Sequence, residues 1–199
     1  MSEQGGQRRC VFVVGPESSG SRLAAKIVAH VLGVHAYGHW ARPVGWSHSD
    51  LPHGNVSDSA QNNAVAARTD TVCHRSLPYG RKGVYPDLER WCSMNSDALT
   101  QFVITTRDVS IVDRSKRIRF NRTESLCKLN RQRSRQWIAA VLQRKLPYFI
   151  WSYETLVYLH EDYLQQLYVF LGVESDFVPP DLFDGNEKYV SGGSVGPTG

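Results

Sequence analysis

The sequence is most constrained by a short apolar run that leads into a glycine-containing loop and then an amphipathic segment. Residues 11–14 are four apolar, mostly β-branched residues, typical of a strand buried on both faces of a parallel sheet. The run stops at Gly15-Pro16, and a helical period of apolar residues then extends from Leu23 to a stop at Gly33. This order directs backbone N–H groups and the positive end of a helix dipole at one point. It therefore favours phosphate binding over an ordinary strand-to-helix turn.

The loop residues narrow the kind of phosphate site. Gly15 and Gly20 keep the G-x-x-x-x-G spacing of a nucleotide-kinase loop, but Ser21-Arg22 stands where that motif needs Lys-Ser/Thr. Residues 19–22, Ser-Gly-Ser-Arg, resemble instead the loop with which sulfotransferases hold the 5′-phosphosulfate of PAPS (3′-phosphoadenosine 5′-phosphosulfate). No metal is required for this chemistry. The resemblance implies that the residues binding this end of PAPS are Ser18, Ser19, Gly20, Ser21 and Arg22.

A second region supports the same resemblance. A predicted strand over 101–107 ends in Arg107, and Ser115 follows about two turns into the next helix, which Asp108 is placed to cap. Taken alone, these residues are more typical of a surface arginine and a solvated helix serine. At this junction they resemble the 3′-phosphate site of PAPS-dependent sulfotransferases. Two later segments, 151–157 and 167–173, resemble the family's Tyr-Glu-Asp-Leu and Phe-Leu-Gly segments, so the likeness spans residues 11 to 173 in order.

Strands alternating with helices predict an α/β fold. We expect a three-layer P-loop type domain with a central, mostly parallel sheet flanked by helices. Its predicted bounds are 10–190, between a flexible N-terminal lead (1–9) and a flexible Gly/Ser-rich tail (191–199). An irregular stretch at 44–69 either covers the acceptor site or is a flexible excursion. The predicted strands after the first are 34–38, 71–77, 101–107 and 148–153, and the helices after the first are 87–94, one following Asp108, 123–145 and 156–171.

Composition indicates a soluble protein, with 41% hydrophobic and 21% charged residues. No apolar stretch approaches the roughly 18 residues that span a membrane, and the polar N-terminus has no secretory signal, so we expect a cytoplasmic location. The cysteines are widely spaced, with no C-x-x-C pair, which favours free thiols over disulfides or zinc. They are Cys10, Cys73, Cys92 and Cys127.

The basic residues are concentrated in one part of the chain. Between Arg107 and Lys145 there are twelve Lys and Arg, out of 23 in all, against three acidic residues. Such a field attracts a multiply charged nucleotide. Nucleic acid is the lesser alternative, because no nucleic-acid motif accompanies it, and we expect no nucleic-acid partner. A solvated helix face remains open for Lys128, Arg131, Arg133 and Arg135.

The resemblance implies attack of an acceptor hydroxyl or amine on the PAPS sulfur, with PAP (the adenosine bisphosphate) leaving. The family's Lys-Thr-His-Leu-Pro segment corresponds here to residues 74–78, where Ser76 takes the place of the catalytic histidine. His74 lies on the same strand face as Ser76 and is the first candidate base, ahead of His39.

The family's loop lysine is also replaced, by Ser18, and Arg22 or Lys26 is the candidate to supply its charge. Lys188 either returns over the nucleotide or belongs to a disordered tail. An ATP-dependent phosphotransferase and a non-catalytic nucleotide-binding module remain alternatives. The acceptor, a small molecule or a glycan, and the oligomeric state are not indicated.

Overall fold

A computed structural model describes residues 7–33, 70–78, 83–180 and 182–190. The strands are β1 (Arg9–Pro16), β2 (Thr71–Leu77), β3 (Leu99–Thr106) and β4 (Tyr148–Ser152). The helices are α1 (Ser21–Val31), α2 (Leu88–Met94), α3 (Val109–Phe120), α4 (Glu124–Gln143), α5 (Tyr153–Leu171) and α6 (Glu187–Val190). The predicted strand at 34–38 and the irregular stretch at 44–69 lie outside the described residues.

The described strands form one sheet in the order β2-β1-β3-β4, and each neighbouring pair is parallel. The α/β prediction with a parallel sheet is therefore confirmed. In the register, Pro16 lies opposite Leu77, Val14 opposite Ile104 and Thr106 opposite Ser152. Because the strands run the same way, their carboxyl ends meet at one edge of the sheet, the edge at which α/β proteins bind ligands.

The core lies on both faces of the sheet. Successive β1 side chains alternate between the faces. Val11 and Val13 belong to a cluster that includes residues of α1 and α5, whereas Phe12 and Val14 belong to one that includes α2 and α4. The Phe12 ring stacks on Trp91 of α2 at a centroid distance of 4.4 Å. With helices covering both faces, the architecture is compatible with three layers.

The ends of several elements follow local chemistry. The Asp108 carboxylate accepts hydrogen bonds from the backbone N–H groups of Ser110 (2.8 Å) and Ile111 (3.2 Å), so the predicted cap of α3 is confirmed. Ordered structure also reaches into the predicted N-terminal lead. The Arg8 side chain is buried and donates to Asp97 at 2.7 Å, and β1 already begins at Arg9.

The cysteines are free thiols, as predicted. Burial raises the pKa of Cys92 and Cys127, and a hydrogen bond with Cys73, together with burial, raises the pKa of Cys10. Buried thiols of this kind serve as small apolar groups in the core.

Candidate functional site

The loop between β1 and α1 contains two residues in the left-handed backbone conformation. Ser18 (φ 69°) and Gly20 (φ 84°) are both left-handed, and the Ser19 N–H donates to the Pro16 carbonyl at 3.1 Å. No side chain of the described residues caps α1 at Gly20, and its first turn has no acidic residue. The N–H groups at this helix terminus therefore point toward a place where an anion would be stabilised.

The loop is anchored to the sheet by a buried pair of hydroxyl groups. The Ser19 and Thr105 hydroxyls are hydrogen bonded at 2.6 Å, and the Thr105 hydroxyl also donates to the Val14 carbonyl at 3.3 Å. Gly15 permits this approach, since a Cβ atom there would lie only 2.0 Å from the Thr105 hydroxyl oxygen. The N–H and hydroxyl of Ser19 are thus both engaged within the fold, so Ser19 shapes the loop.

Arg107 lies directly after β3 and contacts the loop. Its Nη1 donates to the Ser18 carbonyl at 3.1 Å, and its Nε donates to the Asn186 side-chain oxygen at 2.7 Å. The guanidinium carbon lies 4.3 Å from the centroid of the Tyr153 ring. That ring also covers Gly20, where a Cβ would lie 2.9 Å from a ring carbon. Arg107 is consequently held in place by a carbonyl, an amide and an aromatic face.

Ser115 reaches the same loop residue from α3. Its fully buried hydroxyl donates to the Ser18 hydroxyl at 3.1 Å and is 3.0 Å from the Tyr189 hydroxyl. Sequence reasoning expected Arg107 and Ser115 to form one phosphate site. The structure brings both into contact with Ser18 of the glycine loop.

The candidate base is buried beside the start of α1. His74 is only 1% exposed, and its Nε2 is 2.9 Å from the Ser21 hydroxyl. This contact orients Ser21 and places His74 behind the loop. The second candidate, His39, lies outside the described residues.

Arg22 is exposed on the first turn of α1. Desolvation, and to a smaller extent the positive charge of Arg119, lower its pKa. Glu17 introduces an opposing charge at the start of the loop. Burial raises the pKa of Glu17, although the positive charges of Arg122, Lys116 and Arg119 partly lower it again.

The segment containing α6 contributes contacts that sequence reasoning missed. Asn186 and the buried Tyr189 hold Arg107 and Ser115, and Tyr153 accepts a hydrogen bond from the Gly185 N–H at 2.8 Å. Lys188, by contrast, is exposed, with its Nζ 5.1 Å from the Tyr189 ring centroid. In the sequence, only the Asn-Glu-Lys-Tyr stretch at 186–189 pointed to this segment, and the sequence analysis related it to the nucleotide through Lys188 alone.

Comparison of the sequence with models of known protein families and with curated proteins found no match. The described residues include no group of three or more His, Cys, Asp or Glu side chains that could hold a metal ion. None of the described helices combines the length and apolar character needed to cross a membrane.

Proposed function

We propose that the protein is a sulfotransferase that transfers a sulfuryl group from PAPS to a hydroxyl or amine acceptor and releases PAP. The observation that carries the proposal is the convergence of Arg107, Ser115 and the glycine loop at Ser18, with donor–acceptor distances of 3.1 Å from both residues. A P-loop type domain and a cytoplasmic location belong to the same proposal. The free cysteines suit a reducing compartment.

The residues present suit a nucleotide with two separate anionic ends. The N-terminus of α1 with Ser18 and residues 20–22 would hold the 5′-phosphosulfate, while Ser19 shapes the loop. Arg107, a planar fork of donors, and the Ser115 hydroxyl would hold the 3′-phosphate. In the structure Arg107 is hydrogen bonded to Asn186, and Ser115 to Tyr189. Nucleotide binding would therefore exchange those contacts for contacts with the phosphate.

The chemistry needs charge stabilisation on the departing phosphate and a base for the acceptor proton. Arg22 and Lys26 of α1 are the candidates for the missing loop cation. His74 remains the first candidate base and would act on the acceptor through Ser21, with which it shares a hydrogen bond at 2.9 Å. When bound, PAPS supplies the sulfuryl group, and the loop holds it for in-line attack.

Transfer of label from sulfur-labelled PAPS to a pool of phenols, sugars and amines tests the proposal. We expect labelled product with the wild type and a loss of about 10²–10⁴-fold with His74→Ala, the usual contribution of a general base. His160→Ala, a matched histidine substitution on α5, is expected to retain activity. Tight PAP binding with no labelled product from any acceptor class would instead support a binding module. Activity that requires ATP and magnesium would support the phosphotransferase.

A further inference from the structure

Lys116 of α3 is a buried cation whose ammonium group makes no hydrogen bond to any described residue. Its side chain is 0% exposed, and Nζ lacks a hydrogen-bond partner. Burial lowers its pKa, with a partly opposing effect of Glu17 and Asp113. Buried polar atoms are nearly always hydrogen bonded, and an unpaired buried charge is costly. The three donors of this ammonium therefore indicate a partner that none of the described residues supplies.

Each of the two nearby acids faces another cation with one carboxylate oxygen, while its second oxygen is buried without a hydrogen bond to any described residue. Asp113 accepts a hydrogen bond from Arg131 at 2.6 Å, and the Glu17 carboxylate lies 3.9 Å from Arg122. These pairs reduce the negative charge available to Lys116 without placing an oxygen within hydrogen-bond distance of Nζ.

Lys116 lines a cavity of about 220 Å³ at the carboxyl end of β3, here named the Lys116 cavity. Four of its lining side chains are cationic against the single acid Asp113, and three others form an apolar wall. The cations are Arg107, Lys116, Arg131 and Arg135, and the wall is Val109, Val112 and Ile138. The cavity is smaller than the roughly 300–1,000 Å³ pockets that enclose drug-sized ligands. A positive end beside an apolar wall suits a compact organic acid.

The cavity adjoins the candidate nucleotide site and shares Arg107 with it. Consecutive residues of a helix are about 100° apart around its axis. Ser115 accordingly contacts Ser18 and Tyr189, whereas Lys116 faces the cavity. Arg107 and Pro16, at the start of the glycine loop, border the cavity. A ligand paired with Lys116 would lie next to the loop, with Arg107 on the boundary between the two sites.

We propose that the Lys116 cavity binds the acidic group of the second substrate, a compact organic acid whose carboxylate or sulfate oxygens pair with Lys116. Its apolar part packs on Val109, Val112 and Ile138. The identification of this acid as the acceptor substrate rests on the proposed sulfotransferase function. The binding of an organic acid in the cavity does not depend on that function. The acceptor class is accordingly a small hydroxyl- or amine-bearing molecule with a negative charge.

Calorimetric titration with benzoate, and with its neutral counterpart benzamide, tests this proposal. Benzoate is expected to bind the wild type both without PAP and at saturating PAP, with benzamide at least about tenfold weaker, as for loss of a charged hydrogen bond. Lys116→Met should weaken benzoate binding by about tenfold or more. Lys128→Met, which removes the same charge from an exposed position on α4, should leave benzoate binding unchanged.

Arg135→Met provides a second variant at an exposed cavity-lining position, so the test survives misfolding of Lys116→Met. It is expected to weaken benzoate binding severalfold. Three results would overturn the proposal: no benzoate binding, equal binding by wild type and the cavity variants, or competition between benzoate and PAP. If PAP itself fails to bind while benzoate binding depends on Lys116, the sulfotransferase proposal fails and the anion site stands.

Discussion

Replacing Gly15 with alanine places a methyl group where the sheet and the glycine loop leave no space. The added Cβ would lie 2.0 Å from the Thr105 hydroxyl oxygen, 2.5 Å from the Thr105 carbonyl oxygen and 2.9 Å from the Ser19 hydroxyl oxygen. The hydroxyl can rotate away only by leaving Ser19, now bonded at 2.6 Å, without its partner. The carbonyl belongs to β3 and can move only with the strand.

Both consequences reduce the free energy of unfolding. A buried hydroxyl left unsatisfied costs about 1–3 kcal/mol, and forcing extra volume into a packed site costs about the same. We therefore expect Gly15→Ala to destabilise the protein by about 2–6 kcal/mol, a large share of the roughly 5–15 kcal/mol that folds a typical domain. Urea denaturation followed by tryptophan fluorescence measures this change.

Gly33→Ala is the matched control. Gly33 also has a positive φ, 64°, but none of the described residues has an atom within 4 Å of the Cβ position, so only backbone strain of about 1 kcal/mol is expected. In a Thr105→Ala background, Gly15→Ala should reduce the free energy of unfolding by a smaller amount, because the hydroxyl that makes the closest contact is gone. Some loss should remain, because the carbonyl of residue 105 is still present. If Gly15→Ala costs no more than Gly33→Ala, the described packing of the loop on β3 is incorrect.

Three further predictions follow from buried groups. Lys116→Met should raise the free energy of unfolding by about 1–3 kcal/mol at neutral pH. The pKa of Lys116 is lowered in the folded state, so burying the charged ammonium costs the most at any pH below that folded-state pKa. This cost falls as the pH rises from the folded-state pKa toward 10.5, and the stability difference between wild type and Lys116→Met should shrink over that range. Urea denaturation at several pH values measures the difference, and a constant difference would contradict the prediction. Tyr153→Phe removes the hydroxyl that donates to the Phe183 carbonyl and accepts from the Gly185 N–H, both in the segment before α6. The free energy of unfolding should fall by about 1–2 kcal/mol, and proteolysis of that segment should become faster. Native protein should react slowly with a thiol reagent, with the buried Cys10 and Cys127 slower than the half-buried Cys92, and rapid reaction of all thiols would count against the fold.

The sheet could be predicted because its signals are local. The apolar run at 11–14, the strand before Arg107 and the Asp108 cap each specify their own element. The meeting of Arg107 with the glycine loop was also predictable, because parallel neighbours bring their carboxyl ends to one edge.

The rest of the site depends on long-range packing. Tyr189 reaches Ser115 from 74 residues away, and Asn186 reaches Arg107 from 79 residues away. Neither distance leaves a periodic signal in the sequence. Lys116 belongs to a basic run that is typical of a solvated helix face, yet the folded chain buries it completely. By contrast, the solvated interpretation holds for Lys128, Arg133 and Arg135, which are exposed.

The central claim is that Arg107 and Ser115 bind a 3′-phosphate, and the most direct measurement is calorimetric binding of PAP against ADP without magnesium. The wild type should prefer PAP by about 1.5–3 kcal/mol, the scale of a charged hydrogen bond. Arg107→Ala should lose most of that preference, whereas Arg117→Ala, an exposed arginine of the same helix region, should keep it. Equal binding of the two nucleotides by the wild type, or a preference for ADP that emerges only with magnesium, would contradict the account.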